Sequence, residues 1–142
     1  FIFLTHGHSD HIGAVDALRR ETGAKLVMHA ADAAQFHLSP DETYADGQPV
    51  TVDDMTFVPI FTPGHTPGST CLLCGELLFA GDTLFADDIG RCDLPGGDYQ
   101  TMLKSLAKLY SAVQTDAQVL PGHEAFSTMN AEKQSNPYLQ NL

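Results

Sequence analysis

The chain has 142 residues, of which 43% are hydrophobic and 18% are charged, a composition typical of one globular domain, here residues 1–142, with one buried core. No apolar stretch approaches the roughly 20 residues that a helix needs to cross a bilayer. The formal net charge of −11 repels the phosphates of nucleic acid. We therefore expect a small-molecule substrate, and neither nucleic acid nor a membrane as partner.

The cysteines and the first residues bear on location and on how the chain starts. Cys71, Cys74 and Cys92 are an odd number, and no charged-then-apolar leader precedes them, which favours a reducing, cytoplasmic location. Cys71 and Cys74 have C-x-x-C spacing, but a zinc ribbon needs a second pair, so we interpret them as part of a core strand. Residues 1–4 form an apolar run without a polar lead-in, and we expect strands upstream of them to be missing.

The order of predicted elements indicates an α/β layered fold rather than a helix bundle or a sandwich. Apolar runs and turn residues predict strands at 1–4, 25–29, 50–52, 56–61, 69–74, 76–80 and 117–120. Helices are predicted at 14–21, closed by Gly23, at 30–36, after the N-cap residue Asp98, and at 127–134. Segments 5–13, 39–49 and 81–97 are predicted to be loops.

One predicted loop is rich in metal-binding residues. Thr5-His6-Gly7-His8-Ser9-Asp10-His11-Ile12-Gly13 contains three imidazoles and a carboxylate directly after an apolar strand, where loop side chains commonly project into a cleft. In an extended segment, residues two apart point to the same side, so His6 and His8 can bind one cation together. Asp10 and His11 lie beyond the bend and can turn to a second cation.

Three more candidate ligands lie in loops that follow predicted strands. A catalytic zinc takes about three protein ligands and keeps a position for water, so two cations need ligands from elsewhere, and His65, Asp82 and His123 are placed to supply them. A single loop histidine is more often solvated or a capping residue, and we interpret His29 and His37 as structural or solvated. A cluster of four such residues with three more at strand ends favours a metal centre.

Four segments resemble the metal-binding signatures of a known superfamily, in the expected order. THGHSDHIG is similar to the THxHxDHxG signature of the metallo-β-lactamase superfamily, and TPGHTPGS, FAGDTLF and LPGHE resemble its later metal motifs. Within that superfamily, IGRCDLPGGD and the final PGHEAFSTMNAEKQSNPYL resemble short glyoxalase II-like (hydroxyacylglutathione hydrolase-like) thioesterases. The resemblance covers nearly the whole chain.

The resemblance implies a fold, a ligand set and a cofactor. The implied fold is an α/β (α+β) four-layer αββα sandwich whose first sheet begins upstream of the signature, so we expect an N-terminally incomplete domain. The implied cofactor is two divalent metal ions, with zinc expected and iron or manganese as alternatives. The implied ligands are His6, His8 and His65 for the first ion, Asp10, His11 and His123 for the second, and Asp82 bridging both.

Such a centre is suited to thioester hydrolysis. Two cations that share a water lower its pKa from about 15.7 toward neutrality, so we expect a metal-bridging hydroxide as nucleophile. Asp82 would hold both cations and Asp10 can orient the hydroxide or accept its proton, which makes these two the expected catalytic residues. A thiolate, whose parent thiol has a pKa of about 8.5, leaves without a general acid. We therefore expect S-lactoylglutathione or a related hydroxyacyl thioester as substrate.

Several alternatives stay open. Arg91 could bind a carboxylate of a glutathione-like substrate or pair with Asp93. A persulfide dioxygenase branch resembles this fold and holds one iron with counterparts of His6, His65 and Asp82. β-Lactamases generally lack the bridging carboxylate, which argues against that activity. The chain could also be a metal-binding fragment without turnover, and whether it forms a homo-oligomer is left open.

Overall fold

The computed structural model describes residues 1–142. The strands are β1 (Ile2–Phe3), β2 (Leu26–Met28), β3 (Glu42–Thr43), β4 (Val50–Val52), β5 (Met55–Phe61), β6 (Thr70–Cys74), β7 (Leu77–Gly81), β8 (Leu84–Phe85), β9 (Asp88–Ile89), β10 (Gln118–Pro121) and β11 (Ser127–Thr128). The helices are α1 (Ser9–Ile12), α2 (Val15–Thr22), α3 (Ala30–Gln35), α4 (Tyr99–Ala112) and α5 (Met129–Ser135). None of these helices combines the length and the apolar character that crossing a membrane requires.

The two sheets pack against each other, and helices cover the outer face of each sheet. Three clusters of buried apolar side chains fill the spaces between these layers. In β2, Leu26 and Met28 pack with residues of α1, α2 and α3, whereas Val27 packs against the second sheet, because side chains alternate along a strand. In β6, Leu72 faces the first sheet and Cys71 faces α4 and α5. Both strands are covered on two faces, as the position of Cys71 in a core strand predicted.

The six-stranded sheet packs against α4 in the largest of the three clusters. The helix begins at Asp98, whose carboxylate accepts a hydrogen bond from the backbone N–H of Thr101 at 2.7 Å, as an N-cap residue does. Met102, Leu106 and Leu109 are buried at spacings of three and four residues, so they line one face of the helix. The predicted N-cap residue of this helix is confirmed.

Four strands end at one edge of the molecule. The first sheet has the order β1-β2-β3 and the second β11-β10-β7-β6-β5-β4. Strands β5 and β7 are both antiparallel to β6, and β10 is parallel to β7, so β5, β7 and β10 point the same way. The backbone of Thr70, at the start of β6, donates a hydrogen bond to the carbonyl oxygen of Thr5, after β1, at 2.9 Å. The loops that follow β1, β5, β7 and β10 therefore open on the same end.

Three predicted loops contain short regular elements, and these predictions are wrong in part. Segment 5–13 includes the single helical turn α1, segment 39–49 adds strand β3, and segment 81–97 contains the paired strands β8 and β9. The predicted helix at 127–134 begins with the two strand residues of β11. Each missed element has two to four residues, too few to show a period. Strand β3 forms by pairing with β2, which its own sequence does not indicate.

The loop after β5 packs tightly on the start of α4. Gly64 has a φ of +143°, and its carbonyl oxygen accepts a hydrogen bond from the backbone N–H of Asp98 at 2.8 Å. A Cβ atom at this position would lie 2.5 Å from the Cα atom of Met102. No side chain fits there, and only glycine adopts such a backbone conformation readily.

We predict that Gly64→Ala lowers the free energy of unfolding by roughly 3 kcal/mol or more, because backbone strain and overpacking each cost about 1–3 kcal/mol. Urea unfolding measures the loss. Gly75→Ala is the matched control, since Gly75 has a φ of +58° and a Cβ atom there would meet nothing within 4 Å, leaving only left-handed strain of about 1–2 kcal/mol. Equal losses in the two variants would show that the contact with Met102 is unimportant.

Candidate metal centre

The loop after β1 sends its candidate ligands in two directions. It is extended at His8, with φ −63° and ψ 149°, so His6 and His8 lie on one side. The chain then turns into α1, which carries Asp10 and His11. The sequence analysis placed a bend between the pair His6 and His8 and the pair Asp10 and His11. In the structure this bend is the start of the helical turn α1.

The carboxylate of Asp82, which follows β7, lies at the centre of the candidate ligands. Its Oδ2 atom is 3.2 Å from His65 Nε2, 3.4 Å from His123 Nε2 and 3.6 Å from His6 Nε2. Its Oδ1 atom is 3.3 Å from His11 Nε2. The structure thus brings imidazoles from three separate loops onto one carboxylate.

The remaining ligand candidates form two groups around that carboxylate. The inner group is His6, His8 and His65, and the outer group is Asp10, His11 and His123; within each group the candidate ligand atoms lie within 4.8 Å of one another. In the inner group His6 and His65 are buried, whereas Asp10 and His123 of the outer group are exposed. Each group has the number of ligands that one divalent cation takes from a protein.

The protonation states suit cation binding. Burial, together with the neighbouring His11, lowers the pKa of His6 to about 3, and burial with the nearby His65 lowers the pKa of His8. Burial alone would raise the pKa of Asp82, but contacts with His11 and His65 hold it well below its usual range. At neutral pH these two imidazoles are neutral and this carboxylate is ionised, which is the state in which they bind metal.

Two of the inner imidazoles are oriented by hydrogen bonds to their other ring nitrogen. His65 Nδ1 donates to the backbone carbonyl oxygen of Arg91 at 2.7 Å, and His6 Nδ1 lies 3.0 Å from the hydroxyl of Thr5. Both contacts leave Nε2 facing Asp82. This arrangement, in which a ligand histidine is fixed through its second nitrogen, is usual at metal sites.

Three buried polar atoms in the cluster have no hydrogen-bond partner, namely His6 Nε2, His11 Nε2 and Asp82 Oδ1. His11 Nε2 and Asp82 Oδ1 approach to 3.3 Å, but they are not aligned for a hydrogen bond. Such groups are rare in native proteins and call for a bound ion or water. The three residues offer ligand atoms within 4.8 Å of one another, so the donor set fits a cation that prefers imidazole and carboxylate ligands, such as zinc.

The cluster borders a cavity of about 500 Å³. Phe85, Ile89 and Leu94 give the cavity an apolar wall, and Arg91 also lines it. The exposed guanidinium of Arg91 makes two bonds to Asp93, from Nε to Oδ1 at 2.6 Å and from Nη2 to Oδ2 at 2.9 Å. Of the two contacts considered for Arg91, the structure contains the ion pair with Asp93. Arg91 also lies beside the cavity.

Two glycines that the sequence analysis did not assign let the loops approach Asp82. A Cβ atom at Gly122 would clash with Oδ1 of Asp82, and one at Gly90 would clash with its carbonyl oxygen. Gly122 directly precedes His123, and its N–H donates to the carbonyl oxygen of Gly81 at 2.8 Å. Gly122 lies within the segment LPGHE and Gly90 within IGRCDLPGGD, and these positions in the quoted segments were the signal that could have found them.

A buried carboxylate on α5 is hydrogen-bonded to the segment that contains β8 and β9. Glu132 is 2% exposed, and its Oε2 atom accepts hydrogen bonds from Asp87 N at 2.9 Å and Asn136 Nδ2 at 2.8 Å. Its Oε1 atom accepts from the hydroxyl of Ser127. The same Asn136 amide donates to the carbonyl oxygen of Phe85 at 3.3 Å, so this network supports the apolar wall of the cavity. The sequence predicted a helix here without assigning Glu132.

Comparison with known proteins identifies the family. The family model described as the metallo-beta-lactamase superfamily matches residues 1–123, a span that includes all the candidate ligands. The chain belongs to the metallo-beta-lactamase superfamily. The resemblance inferred from its sequence motifs is therefore confirmed, and with it the assignment to a superfamily of metal-dependent hydrolases.

Individual relatives agree on the fold and differ in their names. The chain is 32% identical over 158 residues to the hydroxyacylglutathione hydrolase GloC of Haemophilus influenzae, covering 97% of this chain and 74% of that protein. It is similar to BLEG-1, a B3 metallo-beta-lactamase (31% identity, TM-score 0.87, 99% of this chain and 77% of that one). It is also similar to TTHA1623 in a di-iron-bound form (31% identity, TM-score 0.78, 97% and 76%). These likenesses confirm the predicted αββα four-layer fold.

We predict that Glu132→Gln lowers the free energy of unfolding by about 1–3 kcal/mol, because an amide nitrogen cannot accept and a buried donor loses its partner. Urea unfolding of chelator-treated protein measures this loss without any contribution from metal. Glu76→Gln changes an exposed carboxylate and should stay within about 0.5 kcal/mol of the parent. If the two variants were equally stable, the Glu132 network would contribute nothing to the β8–β9 segment.

Proposed function

We propose that this chain hydrolyses thioesters of the hydroxyacylglutathione type, with S-lactoylglutathione as the first substrate to test, and that it uses two divalent cations, zinc in the first instance. The inner group would hold one cation, the outer group the other, and Asp82 would contact both. The position of Asp82 carries the proposal, because its carboxylate oxygens lie within 3.6 Å of imidazoles from both groups.

The bound cations would supply hydroxide at neutral pH and a positive charge beside the carbonyl oxygen of the substrate. The chain's own carboxylates have different parts in this scheme. Asp82 is buried and ionised, so it offsets positive charge at the centre and holds the two groups together. Asp10 is exposed at the cavity, with Oδ2 3.0 Å from His123 Nε2, where it can orient a water and accept its proton. We assign the catalytic roles to these two residues.

The groups that line the cavity favour a thioester over an amide. Apart from the candidate ligands, its polar side chains are those of Ser9 and Arg91, and neither is an acid able to protonate an amine leaving group. A thiolate needs no such acid, because the pKa of its parent thiol is about 8.5. The likeness to GloC, which is named a hydroxyacylglutathione hydrolase, supports the same substrate class.

Two other activities have an observation in their favour. A mononuclear-iron persulfide dioxygenase would need His6, His65 and Asp82, and these three do lie together, with Asp82 Oδ2 at 3.6 Å and 3.2 Å from the two imidazoles. A β-lactam substrate is favoured by the likeness to BLEG-1. The experiment below therefore includes both.

We predict that the zinc-reconstituted chain holds about two zinc ions, as the two ligand groups require, and releases thiol from S-lactoylglutathione. A chelator should abolish turnover and zinc should restore it. Elemental mass spectrometry measures the metal and a thiol assay the turnover. His123→Ala removes one outer imidazole and should leave about one zinc per chain. His37→Asn changes an exposed histidine outside the cluster and should keep the metal and the activity.

Three other results would replace this proposal. One iron per chain with oxygen uptake on glutathione persulfide would indicate the dioxygenase. Faster turnover of a chromogenic β-lactam than of the thioester would indicate a β-lactamase. Two zinc ions with no turnover of any of these compounds would indicate a metal-binding fragment.

We predict that Arg91→Gln raises KM for a glutathione thioester by about 5- to 10-fold and changes kcat little, because a charge-assisted contact to the substrate's carboxylate contributes to binding and not to the chemical step. Asp93→Asn should lower KM, since it frees the guanidinium from its present partner. Steady-state kinetics measure both, with Arg20→Gln, an exposed change on α2, as control. Unchanged KM in both variants would mean that Arg91 serves only as the partner of Asp93.

A further inference from the structure

A buried carboxylate outside the cluster joins the two loops that carry the inner group. Asp32 lies in the first turn of α3 and is 0% exposed. Its Oδ2 atom accepts hydrogen bonds from Gly7 N at 2.9 Å and from Thr66 Oγ1 at 2.8 Å. Its Oδ1 atom accepts from Gly68 N at 2.6 Å. All three donors are in the loops after β1 and β5.

These donors are direct neighbours of the inner-group histidines. Gly7 separates His6 from His8, and Thr66 follows His65. The Nδ1 atom of His8 and the Nε2 atom of His65 lie 3.0 Å apart, although the two residues are far apart in the chain. Asp32 is thus linked to both histidines of this pair. It binds Gly7, the residue before His8, and Thr66, the residue after His65.

The hydrogen-bond directions around Asp32 are determined. Since the Thr66 hydroxyl donates to Asp32, it accepts from the Ser69 hydroxyl at 2.7 Å, and Ser69 Oγ accepts in turn from Thr66 N at 3.1 Å. Asp32 must therefore accept at both of its oxygens. An amide in its place cannot do so, because in either orientation its NH2 group faces a donor.

Helix α3 and Phe36, which directly follows it, also rest on the backbone of the two loops. A Cβ atom at Gly68 would lie 2.6 Å from the backbone nitrogen of Asp32, and one at Gly7 would clash with the ring of Phe36. At such close contact a change at Asp32 is transmitted to the loops and is not absorbed by free space. Groups that orient metal ligands in this way strongly affect metal affinity.

We propose that Asp32 is a positioning residue for the inner metal site and fixes the separation at which His8 and His65 bind one cation together. This inference rests on the proposed function only in requiring that the inner group binds a cation, and it does not depend on the substrate.

The test is zinc affinity in Asp32→Asn, measured by competition with a chromophoric chelator in the absence of substrate. We expect the inner dissociation constant to rise by about 10- to 100-fold while the outer constant is unchanged. Side-chain ¹⁵N spectra of the histidines assign each step, because zinc at the inner group shifts His8 and His65, and zinc at the outer group shifts His123. Thr66→Val removes one of the three hydrogen bonds and should give a smaller change of the same kind, which keeps the test valid if Asp32→Asn does not fold.

Leu106→Ala, in the apolar cluster against α4, is the control for a general loss of stability. It should lower Tm and leave both zinc constants as in the parent. An inner zinc affinity equal to that of the parent in Asp32→Asn, or in Thr66→Val if Asp32→Asn does not fold, would overturn the inference. It would also be overturned if Asp32→Asn and Leu106→Ala both weakened the binding of the two zinc ions equally. A parent chain that binds no zinc at the inner group would refute the proposed function and this inference together. Zinc binding without hydrolysis would refute the proposed substrate alone, and the variants would still decide the role of Asp32.

Discussion

The buried carboxylate of Asp82 sets the constraint on which the rest of the molecule depends. An ionised carboxylate taken out of water is costly unless other charged or polar groups compensate for it. At Asp82 four imidazoles lie within 3.6 Å, and a cation bound between them and the carboxylate would supply that compensation. No single element could supply four such ligands. Three loops must therefore meet at one point, and the two sheets must end at the same edge for them to do so.

Backbone contacts between the two sheets and within the second sheet bring these loops together. Thr5, after β1, accepts from Thr70 of the second sheet at 2.9 Å, and Gly122, after β10, donates to Gly81 at 2.8 Å. A Cβ atom at Gly81 would lie 2.6 Å from the Thr5 hydroxyl, so the strand ends touch where the ligands leave them. The site thus depends on backbone positions fixed by regular strands, which hold side chains more precisely than free loops do.

The sequence alone predicts those parts of the structure that depend on residues close together in the chain. The ligand types stand together in short segments, and the face of α4 has a helical period, so both could be predicted from the chain alone. Asp32 and Glu132 could not, because their donors lie far away in sequence: Asp32 contacts Gly7 and Thr66, 25 and 34 residues distant, and Glu132 contacts Asp87, 45 residues distant. A carboxylate in the first turn of a helix is also common as a charge on the helix dipole, so nothing in the sequence distinguishes a buried acceptor from a solvated one.

The charge distribution adds an electrostatic argument about the substrate. The chain carries a formal charge of −11, which repels an anionic thioester at long range, yet salt screens such repulsion beyond about 8–10 Å. Within that distance two bound divalent cations would outweigh the carboxylates of Asp10 and Asp82, and the guanidinium of Arg91 adds a further positive group beside the cavity. Attraction would therefore be confined to the site, so that an anionic substrate is held where the reacting groups are and is repelled from the rest of the surface.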